Sequence, residues 1–82
     1  MLNVKVLGPG CANCQRLEAI VRKVAQTRQI AIELEKVVDY EEIMKYNILA
    51  TPGLVVGDKV VSAGRIPTES EIVKWLQGAA KG

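Results

Sequence analysis

Gly8-Pro9-Gly10-Cys11-Ala12-Asn13-Cys14 carries the only two cysteines of an 82-residue chain. Leu2 to Leu7, just before it, alternates as a strand does, with Val4 and Val6 on one face and Asn3, Lys5 and Leu7 on the other. The Gly-Pro-Gly run breaks that strand. From Ala12 to about Arg28 the apolar positions Cys14, Leu17, Ile20, Val21 and Val24 recur with the 3.6-residue period of a helix, leaving Gln15, Arg16, Glu18, Arg22 and Lys23 outward. The local pattern is strand, turn, helix, with both thiols at the helix mouth.

Two cysteines at i and i+3 in a first helical turn share a face, with Cα atoms roughly 5 to 6 Å apart, within the range that a disulfide tolerates. The pair can close and open without moving the backbone far. Unpaired backbone N–H groups and the positive end of the helix dipole favour thiolate over thiol there. In such surroundings a cysteine pKa falls from about 8.5 to roughly 3.5 to 7.5. Cys14 is in register with the apolar stripe of Leu17, Val21 and Val24, whereas Cys11 has no stripe behind it. This assigns Cys11 as nucleophile and Cys14 as resolving thiol.

Outward from the motif, Ile30 to Val38 alternates again, with Ile30, Ile32 and Leu34 on one face and Ala31, Glu33 and Glu35 on the other. A strand after a crossover helix makes a right-handed βαβ unit, so the two strands are expected to be parallel. Asp39 with Glu42 reads as a capping box opening a short helix to about Tyr46, with Asn47 as a left-handed stop. Thr51-Pro52 precedes an apolar strand, Gly53 to Val56, which Gly57-Asp58 turns back into an antiparallel strand, Lys59 to Ala63, ended by Gly64. Thr68 with Glu71 repeats the capping signature, and Ile72, Trp75 and Leu76 form the core face of a last helix ending near Gly78.

Composition narrows the function classes. Eighty-two residues make one domain, 1–82, with 49% hydrophobic and 24% charged residues, as in a soluble globular protein. Eleven basic against nine acidic residues leave a net charge of +2 with no basic run, so no nucleic-acid or membrane-surface signal is present. Neither a signal peptide nor an 18-residue apolar span is read, which makes the cytoplasm the expected location. In a reducing compartment a C-x-x-C pair beside a βαβ pattern points to catalysis or metal binding rather than to a structural staple.

The order β-α-β-α-β-β-α, with C-x-x-C at a helix start and Tyr46-Asn47-Ile48-x-x-Thr51-Pro52 before a strand, resembles the thioredoxin superfamily at glutaredoxin size. The Gly-Pro-Gly-Cys-Ala-Asn-Cys start and the Ala50-Thr51-Pro52 and Val60-Val61-Ser62-Ala63-Gly64 segments look most like the small redox-active disulfide proteins of archaea and bacteria. The resemblance implies a four-stranded mixed sheet flanked by three helices. It also implies that Pro52 is the cis-proline facing the disulfide, that the Thr51 backbone pairs with an extended substrate, and that Gly64 belongs to the same groove. The implied activity is thiol-disulfide exchange by a cofactor-free monomer acting on protein disulfides and recycled by a separate disulfide reductase.

Departures from the family pattern are informative. Gly10 stands where thioredoxins place a Trp, and Lys5 stands where they place a buried Asp that handles the proton of the resolving thiol. Periodicity puts Lys5 on the same off-phase face as Glu33 and Glu35, so a Lys5–Glu35 pair beneath the helix start is expected as a charge-swapped tuning element. The competing reading of that face is solvated charge on a sparsely covered sheet. Arg16 and Arg65 could hold a glutathione carboxylate, but they read better as surface arginines. Trp75, Tyr40 and Tyr46 read as core or partly buried packing residues.

The alternative function is a soft-metal carrier using the two thiolates for a copper-type ion. Such carriers follow a β-α-β-β-α-β order, whereas this chain ends in a helical pattern. A closed zinc site would need four ligands, and the chain has no His and no third Cys.

Overall fold

The structure, a computed structural model, describes residues 2–81. Seven elements follow the expected order: β1 (Leu2–Leu7), α1 (Ala12–Thr27), β2 (Ile32–Val37), α2 (Tyr40–Met44), β3 (Gly53–Val56), β4 (Lys59–Ala63) and α3 (Glu69–Lys81). The four strands form one sheet in the order β2-β1-β3-β4. β1 and β2 are parallel, with Val4 opposite Leu34 and Lys5 opposite Glu35, while β1–β3 and β3–β4 are antiparallel.

Strand alternation sorts side chains into two clusters. Val4, Val6, Leu54 and Val56 on one face pack with Leu17, Val21 and Val24 of α1 and with Ile72 and Leu76 of α3. Trp75 is partly buried against this cluster, as expected of a packing aromatic. On the other face Leu7, Val37 and Val55 meet Ile43 of α2, flanked by Tyr46, Ile48 and Val60. Because α2 is only five residues long, its cover ends there, and Asn3, Glu33 and Glu35 stand exposed beyond it. Tyr40 departs from the packing expectation, at 63% exposed on the outer side of α2.

Several boundaries differ from the sequence-based expectation for local reasons. β2 begins at Ile32 rather than Ile30 because the Ile30 N–H is spent on Ala25 O (2.9 Å), with Gln29 left-handed at φ 55°. That is a Schellman closure with Gln in the place usually given to Gly. α3 continues through Gly78 to Lys81. Ala79 still packs against the core, and no proline ends the helix. In β4 the pairing passes from Val55–Val60 to Leu54–Ser62, so Val61 is the extra residue of a bulge.

The two expected capping boxes have different outcomes. Asp39 caps α2 by accepting from the Glu41 N–H at 2.9 Å, but Glu42 turns outward to Lys45 instead of back to the cap. At α3 the box is reciprocal: Thr68 Oγ1 accepts from the Glu71 N–H (3.2 Å), and Glu71 Oε1 accepts from the Thr68 N–H (3.1 Å). The Arg65 guanidinium grips the same carboxylate at 3.0 and 2.8 Å. Arg65 first, and the Thr68 N–H next, hold the Glu71 carboxyl down to about 2 from an ordinary 4.5.

A carboxyl depressed in the folded state contributes stability above its unfolded pKa, and that contribution is lost as pH falls toward the folded value. The difference in melting temperature between the wild type and Glu71→Gln is therefore expected to be constant above about pH 5 and to shrink from about pH 4.5 toward pH 2. Thermal melts across that range measure it.

Candidate active site

Cys11 is the N-cap of α1, in extended backbone at φ −68° and ψ 166°. Its Sγ accepts the Cys14 N–H at 3.2 Å. The cap places this sulfur among the unpaired amides of the first turn, where negative charge is stabilised. One turn along, Cys14 falls on the inward stripe and is 5% exposed, whereas Cys11 is exposed. The two are joined as a disulfide with a Cα–Cα distance of 5.0 Å, as the i, i+3 spacing anticipates.

The loop before β3 carries the Thr51-Pro52 pair. The Thr51–Pro52 peptide is cis, Pro52 is buried, and Pro52 O accepts the Gly64 N–H at 2.9 Å. Gly64 has φ +79°, and a Cβ there would lie 3.1 Å from Ala50 Cβ, so the hairpin end and the proline loop are fitted to one another at a position made for glycine. Among the described residues, Thr51 takes part in no backbone hydrogen bond, which leaves its N–H and C=O available to another chain.

Gly8 joins the two halves of the site, although in the sequence it reads only as a strand breaker. It continues the β1–β2 ladder by donating to Val37 O at 2.9 Å. A Cβ on Gly8 would collide with Cys14 Sγ and stand 3.7 Å from Thr51 Cβ. Gly8 thus lies between the Cys14 sulfur and Thr51 of the proline loop, and its hydrogen is what makes the room.

Lys5 and Glu35 are opposite one another in the parallel register. The expected ion pair, however, is not among the ion pairs of the described residues. Lys5 Nζ instead donates to the Tyr46 hydroxyl at 3.0 Å and lies 5.7 Å from the centre of that ring. The Tyr46 hydroxyl is the leading cause of a raised Lys5 pKa, and Glu35 is a minor one. The reason is positional: Lys5 shares the face of Leu7 and α2, where Tyr46 follows the helix, while α1 and its cysteines pack on the Val6 face.

Arg16 is exposed, and the Arg65 fork is occupied by Glu71, which fits the surface-arginine reading of both. Glu18 departs from the outward reading: its side chain is only 18% exposed, with Arg22 Nε at 3.0 Å and Lys36 Nζ at 3.7 Å.

A dithiol of this kind, exposed at one sulfur and buried at the other on a β-α-β-α-β-β-α frame, defines the thioredoxin-like thiol-disulfide oxidoreductases. The family model described as thioredoxin domain matches residues 2–77, and the chain belongs to that family. It is 36% identical over 76 residues to a thioredoxin of Methanothermobacter thermautotrophicus, covering 93% of this chain and 99% of that one. It is 32% identical over 82 residues to a thioredoxin of Methanocaldococcus jannaschii, covering 100% and 94%. A probable thioredoxin of Archaeoglobus fulgidus is 36% identical over 72 residues, covering 84% and 78%. The protein is a thioredoxin-type disulfide oxidoreductase whose redox-active pair is Cys11 and Cys14. Its helix between β2 and β3 sets the element order apart from the β-α-β-β-α-β order of the metal carriers. No helix among the described residues is long and apolar enough to cross a membrane.

Proposed function

We propose that this protein reduces protein disulfides in the cytoplasm, with Cys11 as the attacking thiolate and Cys14 as the resolving thiol. The observation that carries the assignment is the contrast between the two sulfurs: Cys11 is exposed and accepts the Cys14 N–H at 3.2 Å, while Cys14 is 5% exposed. The Cys11 thiolate attacks one sulfur of the substrate disulfide. A mixed disulfide forms, and the other substrate sulfur leaves as a thiolate that takes up a proton. Cys14 then loses its proton and attacks Cys11 Sγ, the mixed disulfide breaks, and the second substrate thiolate departs. Two electrons have passed to the substrate, and the Cys11–Cys14 disulfide remains.

The substrate strand lies along the unpaired backbone of Thr51, against Pro52 and the Gly64 turn, with the protein acting as a monomer and needing no cofactor. A separate dithiol reductase returns the electrons. Lys5 and Glu35, on the opposite sheet face, influence the pair only through the field of the fold.

Equilibration in thiol buffers of set potential, with alkylation of free thiols and mass measurement, tests the couple. A reversible transition that removes both alkylatable thiols together is expected, between about −270 and −120 mV and toward the negative end for a reductase. A chain that forms no internal disulfide and instead retains Cu(I) through both thiolates would make the carrier reading the correct one.

A further inference from the structure

Resolution requires the buried Cys14 thiol to lose a proton at a place that bulk water reaches poorly. Beside it is a cavity of about 80 Å³ lined by Val6, Gly8, Cys14, Glu18, Lys36 and Val38, together with Gly10 and Gln15. Its volume admits more than one water molecule, and its wall supplies the polar partners that such water needs. The one carboxylate on that wall is Glu18. It stands one helical turn beyond Cys14, on the same side of α1.

Glu18 is held in place from two elements. Arg22, a turn further along α1, meets one carboxylate oxygen at 3.0 Å, and Lys36 reaches the other from β2 at 3.7 Å. Lys36 is opposite Val6 in the parallel register, which puts it on the α1 face of the sheet beside the cavity. Lys36 and Arg22 are the charged groups that face Glu18. Lys5 lies on the other face, bound to Tyr46, and cannot serve.

We propose that Glu18 is the positioning residue that takes the proton from Cys14, through water in this cavity, as Cys14 attacks Cys11 Sγ. This rests on the assignment of Cys14 as the resolving thiol. The proton leaves the Cys14 thiol and neutralises the Glu18 carboxylate. The new bond joins Cys14 Sγ to Cys11 Sγ, and the bond from Cys11 Sγ to the substrate sulfur breaks, with its electron pair leaving on the substrate thiolate. When a dithiol donor reopens the disulfide the proton returns from Glu18 to Cys14. Lys36 and Arg22 hold the carboxylate in place on the wall of the cavity.

Rapid mixing of the reduced protein with dithiobis(nitrobenzoate) separates the two steps, since attack by Cys11 releases one coloured thiolate and resolution by Cys14 releases the second. Glu18→Gln is expected to leave the first release unchanged and to slow the second by roughly 10²-fold at neutral pH, the lower end of what a positioned base contributes. Its second release should also rise with pH as the Cys14 thiol ionises, where the wild type is flatter. Glu18→Asp, which keeps the charge one methylene shorter, should recover part of the rate.

A second release in Glu18→Gln that is unchanged, or faster because a repelling charge has gone, overturns the proposal. Should Glu18→Gln slow both releases through the fold, the pH profile of Glu18→Asp decides. A wild-type profile upholds the proton role, and one that follows thiol ionisation alone removes it. The cysteine assignment fails separately, if the rapid first release is lost in Cys14→Ser and kept in Cys11→Ser.

Discussion

Cys11→Ser brings the reduction of a protein disulfide down to the rate of the chemical reductant alone, because a serine hydroxyl is not ionised at neutral pH and no other thiol in the chain is exposed. Cys14→Ser fails differently. Its Cys11 still reacts, and at the helix mouth it keeps its N-cap position and dipole, although the amide that meets its Sγ now belongs to a serine. The variant consumes one substrate disulfide and then stalls as a stable mixed disulfide, so multiple turnover is lost while a single first attack survives. Turnover assays with both variants distinguish attack from resolution. Equal behaviour of the two would remove the division of labour between the exposed and the buried sulfur.

Gly8→Ala is expected to make the protein a weaker reductant. The added methyl collides with Cys14 Sγ. In the oxidised state that sulfur is tied to Cys11 and cannot turn away, whereas in the dithiol it can rotate about its own Cα–Cβ bond. Overpacking of this kind costs about 1 to 3 kcal/mol, and it falls mainly on the oxidised form. With about 30 mV per 1.4 kcal/mol for a two-electron couple, the potential rises by roughly 20 to 60 mV. Redox equilibration of the variant beside the wild type reads the shift, and melting should fall more for the disulfide form than for the dithiol. An unchanged potential would mean that the backbone at Gly8 yields equally in both states.

The parts of the fold that are legible in the sequence are those in which one local rule acts alone. The alternation of Leu2 to Leu7 and the helical stripe through Cys14, Leu17, Val21 and Val24 mark β1 and α1 almost to the residue. The parallel pairing of β1 with β2 follows from the crossover, and the Thr68–Glu71 signature forms as read. What stays hidden depends on distant neighbours. Nothing in the pattern around Gln29 announces that a non-glycine residue closes α1, and nothing in Val60-Val61-Ser62 marks the bulge.

The site divides the same way. The order of the cysteines and their unequal burial are consequences of helix periodicity, legible in the chain of residues alone. Gly8 reads as a turn residue because the sulfur it touches comes from a different element. Strand register places Lys5 beside Glu35, but a tyrosine arriving from the end of α2 competes for the same ammonium. Glu18 reads as one more solvated charge of α1, because the Lys36 that meets it and part of the cavity wall it shares with Cys14 come from other elements of the chain.

The central claim, that an exposed Cys11 attacks and a buried Cys14 resolves, is tested most directly by mass. Cys14→Ser would be incubated with a protein substrate carrying one disulfide, quenched in acid, digested without reductant, and the linked peptides identified. The account predicts a single adduct in which the substrate cysteine is joined to the peptide containing Cys11, while the mirror variant Cys11→Ser yields no adduct at Cys14. Adducts formed equally well through Cys14 would contradict it.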